Sequence, residues 1–155
     1  MNEVIKLSKQ MHLNYIESEI LNYYYHFGLM QKYQNKIDQL KLEYERKLLD
    51  PPVAGGIIKM PSGNSANSNW IINMCGEIGY YEEKRDLEHK HIERVNKWLN
   101  QIPFEEKHKI IIEQFMKKGI DAAIVAENVK YSEVAVYKVK ERVLDKIYSR
   151  FFKSV

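Results

Sequence analysis

Asp121-Ala-Ala-Ile-Val-Ala-Glu-Asn-Val-Lys-Tyr-Ser132-Glu-Val-Ala-Val-Tyr-Lys-Val-Lys-Glu-Arg-Val-Leu144 is the stretch on which the fold of this chain turns. Asp121 carries the short acceptor side chain of a helix N-cap, and Ile124, Val125 and Val129 behind it supply the apolar face of a short helix. Ala126 stands where a crossing helix comes closest, a position suited to a small residue. Ser132 is a second N-cap. From there Val136, Val139, Val143 and Ile147 recur at three- and four-residue spacing, the buried stripe of a longer helix. The opposite face carries Glu133, Val134, Tyr137, Lys138, Glu141 and Arg142. A short capped helix followed by one with exposed, polar N-terminal turns is a helix-turn-helix pattern, which meets the requirement for major-groove entry. A plain helical hairpin in a bundle shares the pattern, so the choice rests on further features.

Charge is the first of them. Residues 107–155 hold 11 Lys and Arg against 6 Asp and Glu, a balance of +5. Residues 1–50 balance at 7 against 7, and residues 51–106 hold 6 against 8. The chain's net +3 is therefore concentrated at its C-terminal end, as phosphate contact favours.

Upstream, Ile110-Ile-Ile-Glu-Gln-Phe-Met-Lys-Lys-Gly119 reads as a helix over about 104–118, with Pro103 in its first turn and Gly119 as its C-cap. Its expected buried residues are Ile110, Ile111, Ile112 and Phe115. A long helix over 70–100 precedes it. Trp70, Ile71, Met74, Ile78 and Tyr81 share one face, a polar solvated run covers 82–91, and Ile92, Val95 and Leu99 resume the stripe. Residues 51–69 hold 3 of the 4 prolines and 3 of the 7 glycines, and read as a flexible linker. Gly55-Gly56 lacks the Gly-Lys-Ser/Thr continuation of a phosphate loop, and no strand precedes it. In residues 1–50, one helix begins at a Ser8 cap, Gly28 marks a bend, and Tyr33, Ile37, Leu40, Tyr44 and Leu48 line a second helix that stops before Pro51-Pro52. The fold class is all-α. Its divisions are an N-terminal helical region at 1–50, the linker at 51–69, the connecting helix at 70–100 and a DNA-binding domain at 101–155.

With these parts in place, residues 110–147 resemble sigma region four, in which a hydrophobic helix, a glycine, a capped short helix and a Ser-capped recognition helix follow one another. The wider layout is similar to the RinA-like and ArpU-like phage transcriptional regulators. The segments that carry the likeness are Ile16-Glu-Ser-Glu-Ile-Leu-Asn-Tyr23, Pro51-Pro-Val-Ala-Gly-Gly56 and Tyr131-Ser-Glu-Val-Ala-Val-Tyr-Lys138. The resemblance implies a transcriptional activator of late phage genes for packaging, morphogenesis or lysis, acting in the cytoplasm of a bacterial host. It implies Glu133, Val134, Tyr137 and Lys138 as base-reading residues. Lys130, Lys140, Arg142 and Lys146 are the expected phosphate contacts, with Lys117 and Lys118 from the preceding helix. The expected partners are double-stranded DNA, host RNA polymerase and a second copy of the chain, with no membrane and no cofactor. The recognition helix departs from ordinary sigma domains in having no arginine in its first two turns.

Other chemistry finds little support. Cys75 is the single cysteine, which excludes an internal disulfide, and beside Met74 on an apolar face it reads as a buried thiol. In Glu88-His-Lys-His91 the histidines are two apart and diverge on a helix, while His89 and Glu93 make only two ligands, so no metal is expected. Glu82-Glu83 and Glu105-Glu106 are exposed helix turns rather than catalytic pairs, and no enzyme is expected. Tyr23-Tyr24-Tyr25 has only Lys9 and Lys32 as sequence neighbours of positive charge, so helix packing is favoured over base stacking. The alternative to a regulator is a small terminase-like DNA-packaging protein, although such proteins usually carry the helix-turn-helix at the N-terminus. A helical adaptor for acidic proteins is the third. One helix-turn-helix reads too few base pairs for a unique site, so paired copies or polymerase are expected, and a fragment of residues 101–155 is expected to keep its fold.

Overall fold

Every regular element of this computed structural model is helical, over the described residues 2–49 and 64–153 (side chains from 8 and from 69). The order is α1 (Asn2–Leu21), α2 (Tyr23–Leu49), α3 (Asn64–Asn100), α4 (Glu106–Ile111), a π-helical segment (Ile112–Lys117), α5 (Ala122–Val129) and α6 (Glu133–Phe151). The all-α expectation holds. Most of the expected linker at 51–69 lies outside the described residues, and its last part, from Asn64, is already the first turns of α3.

Two compact units divide the chain differently from the expected boundaries. Met1–Phe27 joins Lys90–Val155 in the first, and Gly28–His89 forms the second. The reason lies in α1. Ile16 and Ile20 are both 0% exposed and share one core with Val95, Trp98, Ile111, Val136 and Ile147. The N-terminal helix thus packs against α6 and the π segment. It belongs to one unit with α5 and α6. A fragment of residues 101–155 would lack Ile16, Ile20, Val95 and Trp98 of this shared core.

Within the first unit the local expectations hold closely around α5 and α6. The Ala123 N–H donates to Asp121 Oδ1 at 3.4 Å, and the Ala135 N–H donates to Ser132 Oγ at 3.1 Å, so both caps are made. Gly119 ends the preceding helix at φ 70°, a backbone conformation that costs glycine little. Val136, Val139, Val143 and Ile147 are all buried, joined by Leu144. On α5 the expected Val125 and Val129 are buried, and only Ile124 of the expected face is not. Ala122, Val125, Ala126 and Val129 are buried, while Ile124 is 53% exposed.

The segment after Pro103 also differs. Glu105, not the Pro103 turn, precedes the first helical residue, and after Ile111 the hydrogen bonding widens to a π-helix. The Lys118 N–H reaches back five residues to the Glu113 carbonyl, at 3.1 Å. Met116 lies in the core with Ile111 and Ile112, Phe115 is partly buried and Ile110 is exposed. Trp98 is buried as well, in an aromatic group with Tyr15 and Phe152 at centroid distances of 6.0 and 5.7 Å. The first boundary between helices falls at Asn22, whereas Gly28 lies inside α2.

The second unit pairs the rest of α2 with the first part of α3. Ile37, Leu40 and Met74 are buried. Tyr33 meets Tyr81 and Tyr44 meets Trp70, with centroids 6.2 and 5.6 Å apart. The α2 stripe therefore packs within its own chain, apart from Leu48, which is exposed. Arg85 donates to Gln34 Oε1 at 2.9 Å on the flank of this pair. Cys75 is exposed, contrary to the buried thiol expected: Met74 takes the inward position, and the next residue on a helix turns about 100° away from it.

Candidate nucleic-acid interface

The four expected base-reading residues, Glu133, Val134, Tyr137 and Lys138, all lie on the solvent side of α6, in its first two turns. The Ser132 cap ties down the start of that helix, and Glu133 in the first turn complements the positive end of its dipole. Val134 is 64% exposed, an apolar side chain held outward with no core to cover it. Tyr137 is braced from behind by Phe115, edge to face at 5.3 Å and 87°. That contact fixes the ring while leaving much of it open to solvent.

The expected phosphate contacts separate into two groups. Lys118, Lys130, Arg142 and Lys146 are exposed. Lys130 sits at the C-cap of α5 with φ 61°, and the Tyr131 N–H closes that cap on the Ala126 carbonyl at 3.0 Å. Lys146 lies with its ammonium 5.6 Å from the Phe104 ring centroid. Lys140 and Lys117 are drawn inward. Lys140 donates to Glu17 Oε1 of α1 at 3.1 Å and approaches the Phe115 and Tyr137 rings, each at 5.8 Å. Lys117 pairs with Glu113 at 3.5 Å and lies over the Tyr23 ring at 4.0 Å, leaving its side chain 12% exposed. Both ammonium groups are engaged within the fold, so neither is presented as a phosphate ligand in this arrangement.

A shallow depression of about 300 Å³ opens beside the start of α6, lined by His108, Tyr131, Ser132, Ala135, Lys138, Val139 and Arg142. Lys107 stands over the Tyr131 ring at 5.2 Å. The structure thus brings α4 to the same surface as α6: His108, Lys138 and Arg142 line one notch, and Lys107 lies over the Tyr131 ring that also borders it. Lys107 and His108 were not among the residues singled out from sequence. Their only signal was the basic balance of the segment, since nothing local shows that α4 ends up beside α6.

The tyrosine cluster also meets partners that sequence proximity does not supply. Tyr24 donates its hydroxyl to Glu113, and that bond, helped by desolvation, pushes the phenol up to about 12. Lys118 approaches the Tyr24 ring at 6.0 Å, so the cations near this cluster come from the π segment and its end. Its role in packing is clear for Tyr23, which is partly buried against the core, whereas Tyr25 is exposed.

No helix among the described residues is long and apolar enough to cross a membrane. Comparisons with protein-family models, curated proteins and solved structures find no match for this chain.

Proposed function

We propose that this chain is a sequence-specific double-stranded DNA-binding transcriptional regulator, an activator of phage late genes. The observation that carries the reading is the capped α5–turn–α6 unit, whose second helix holds Val134, Tyr137 and Lys138 outward while its opposite stripe is buried. The α6 N-terminal turns enter the major groove, where Tyr137 and Lys138 meet base edges and Glu133 and Val134 flank them. Lys130, Arg142, Lys146 and Lys118 hold the phosphates on either side, and Lys107 adds a cation beside Tyr131. Two copies of the chain, or one copy beside host RNA polymerase, supply the specificity that a single reading helix lacks.

Selection of bound duplexes from a random pool tests this directly. The expected result is one enriched sequence whose affinity falls steeply with salt. Tyr137→Ala or Lys138→Ala should cost about 1–3 kcal/mol at that site and relax discrimination at particular base pairs. Enrichment of no sequence would overturn the reading, and an unchanged preference in both variants would overturn the assignment of the reading face. A solution mass corresponding to a ring of eight or more subunits would favour the packaging protein instead.

A further inference from the structure

At the Asn22 turn, where α1 gives way to α2, potential metal ligands from three helices of the first unit converge. Glu19 comes from α1, His26 from α2 and His91 from α3. His91 Nδ1 lies 3.0 Å from Glu19 Oε2, and the His26 and His91 rings stack with centroids 4.1 Å apart and planes 4° from parallel. One ligand atom from each residue lies within 4.8 Å of the other two. All three residues are partly buried, and the Glu19 side chain is only 13% exposed.

We propose that Glu19, His26 and His91 form a binding site for one divalent transition-metal ion of the zinc type, with water completing the coordination. Two imidazoles and a carboxylate are a donor set that such ions favour over calcium or magnesium, which prefer oxygen throughout. Tetrahedral bonds of about 2.0–2.2 Å place ligand atoms roughly 3.3–3.6 Å apart. The Glu19–His91 pair already meets at a shorter distance; the parallel His26 and His91 rings would have to turn out of their stack for each to hold the ion in its own plane. Arg94 is the competing cation. Its Nη1 stands 3.3 Å from both Glu19 Oε2 and His91 Nδ1, and its side chain is 37% exposed, with solvent open to it when an ion enters. The ion would bind α1, α2 and α3 together in the unit that carries α6. The site is independent of the DNA-binding reading.

The test uses the full chain titrated with Zn²⁺, and with Co²⁺ as a spectroscopic substitute. The expected result is one ion per chain, Co²⁺ absorption bands of a four-coordinate site, and a rise in Tm with Zn²⁺. In the unsubstituted protein, the imidazole NMR signals of His26 and His91 should move on Zn²⁺ addition, and those of His12, His89 and His108 should not. His26→Gln and His91→Gln should each weaken Zn²⁺ binding by on the order of tenfold or more. Arg94→Gln should tighten it, because the competing charge is gone; a cluster held only as an ion pair would gain nothing. Absence of Zn²⁺ binding overturns the proposal. So does movement of other histidine signals in place of His26 and His91, or an affinity unchanged by both histidine variants.

Discussion

Lys130 unites two demands that pull in different directions. It is the one non-glycine residue at positive φ among the described residues, at 61°, where the Cβ of an L-residue crowds the backbone at a cost of about 1–2 kcal/mol. The same position closes α5 and places an ammonium at the edge of the proposed interface. Lys130→Gly should therefore raise the unfolding free energy by about 1 kcal/mol, read from urea denaturation. It should also lower duplex affinity by a similar factor on target and random sequence, since a phosphate contact carries no base information. A variant no more stable than the parent would show that the cap is not strained; one that binds equally well would remove Lys130 from the interface. Lys140 illustrates the opposite case. From its place on α6 it reads as a phosphate ligand, yet Glu17 holds it at 3.1 Å against α1.

The elements behave as their faces dictate. α6 is amphipathic with Val139 in the middle of its buried stripe, 3% exposed. Val139→Asp strands a carboxylate among apolar side chains and should cost at least about 3 kcal/mol, seen as loss of cooperative unfolding by circular dichroism. On α5, Ile124→Ala should cost less than about 0.5 kcal/mol, because that side chain faces solvent. A stable Val139→Asp protein would mean that α6 is rotated. The π segment carries a subtler lesson. Across it Met116 takes the core position and Phe115 stands at the core's edge, where it supports Tyr137. Nothing in the local periodicity signals it, because Ile112 and Met116 are four apart, a spacing that an α-helix also satisfies.

At the scale of the molecule, the chain's first helix and its last share one core. Ile16→Ala and Ile20→Ala should each cost about 2–5 kcal/mol, since both side chains are fully enclosed. A fragment of residues 101–155 should be unfolded by circular dichroism and fail to bind duplex, because Ile16, Ile20, Val95 and Trp98 are missing from the core on which α6 lies. A cooperatively folding fragment would show that α1 is dispensable to the packing of α5 and α6. The grouping also places α1 where it bears on the proposed interface, through Glu17 on Lys140 and through Lys9 with Asp145 at 3.4 Å.

Sequence by itself determined the all-helical class, the caps at Asp121 and Ser132, the left-handed stop at Gly119 and the buried stripe of α6. These depend on hydrogen bonds and side-chain spacings that span only a few residues, so the local pattern contains the whole cause. It also put Glu133, Val134, Tyr137 and Lys138 on one open face for the same reason. Only the tertiary structure decided that α1 completes the core and that Lys117 and Lys140 turn inward. It alone brought Lys107 and His108 beside α6, and His91 beside Glu19 and His26. An apolar stripe says that a face will be covered but not by which element. A long cation finds whichever carboxylate the packing brings near, here one 123 positions away in the case of Lys140 and Glu17. Those pairings follow from how the helices pack together, and no spacing within one helix records them.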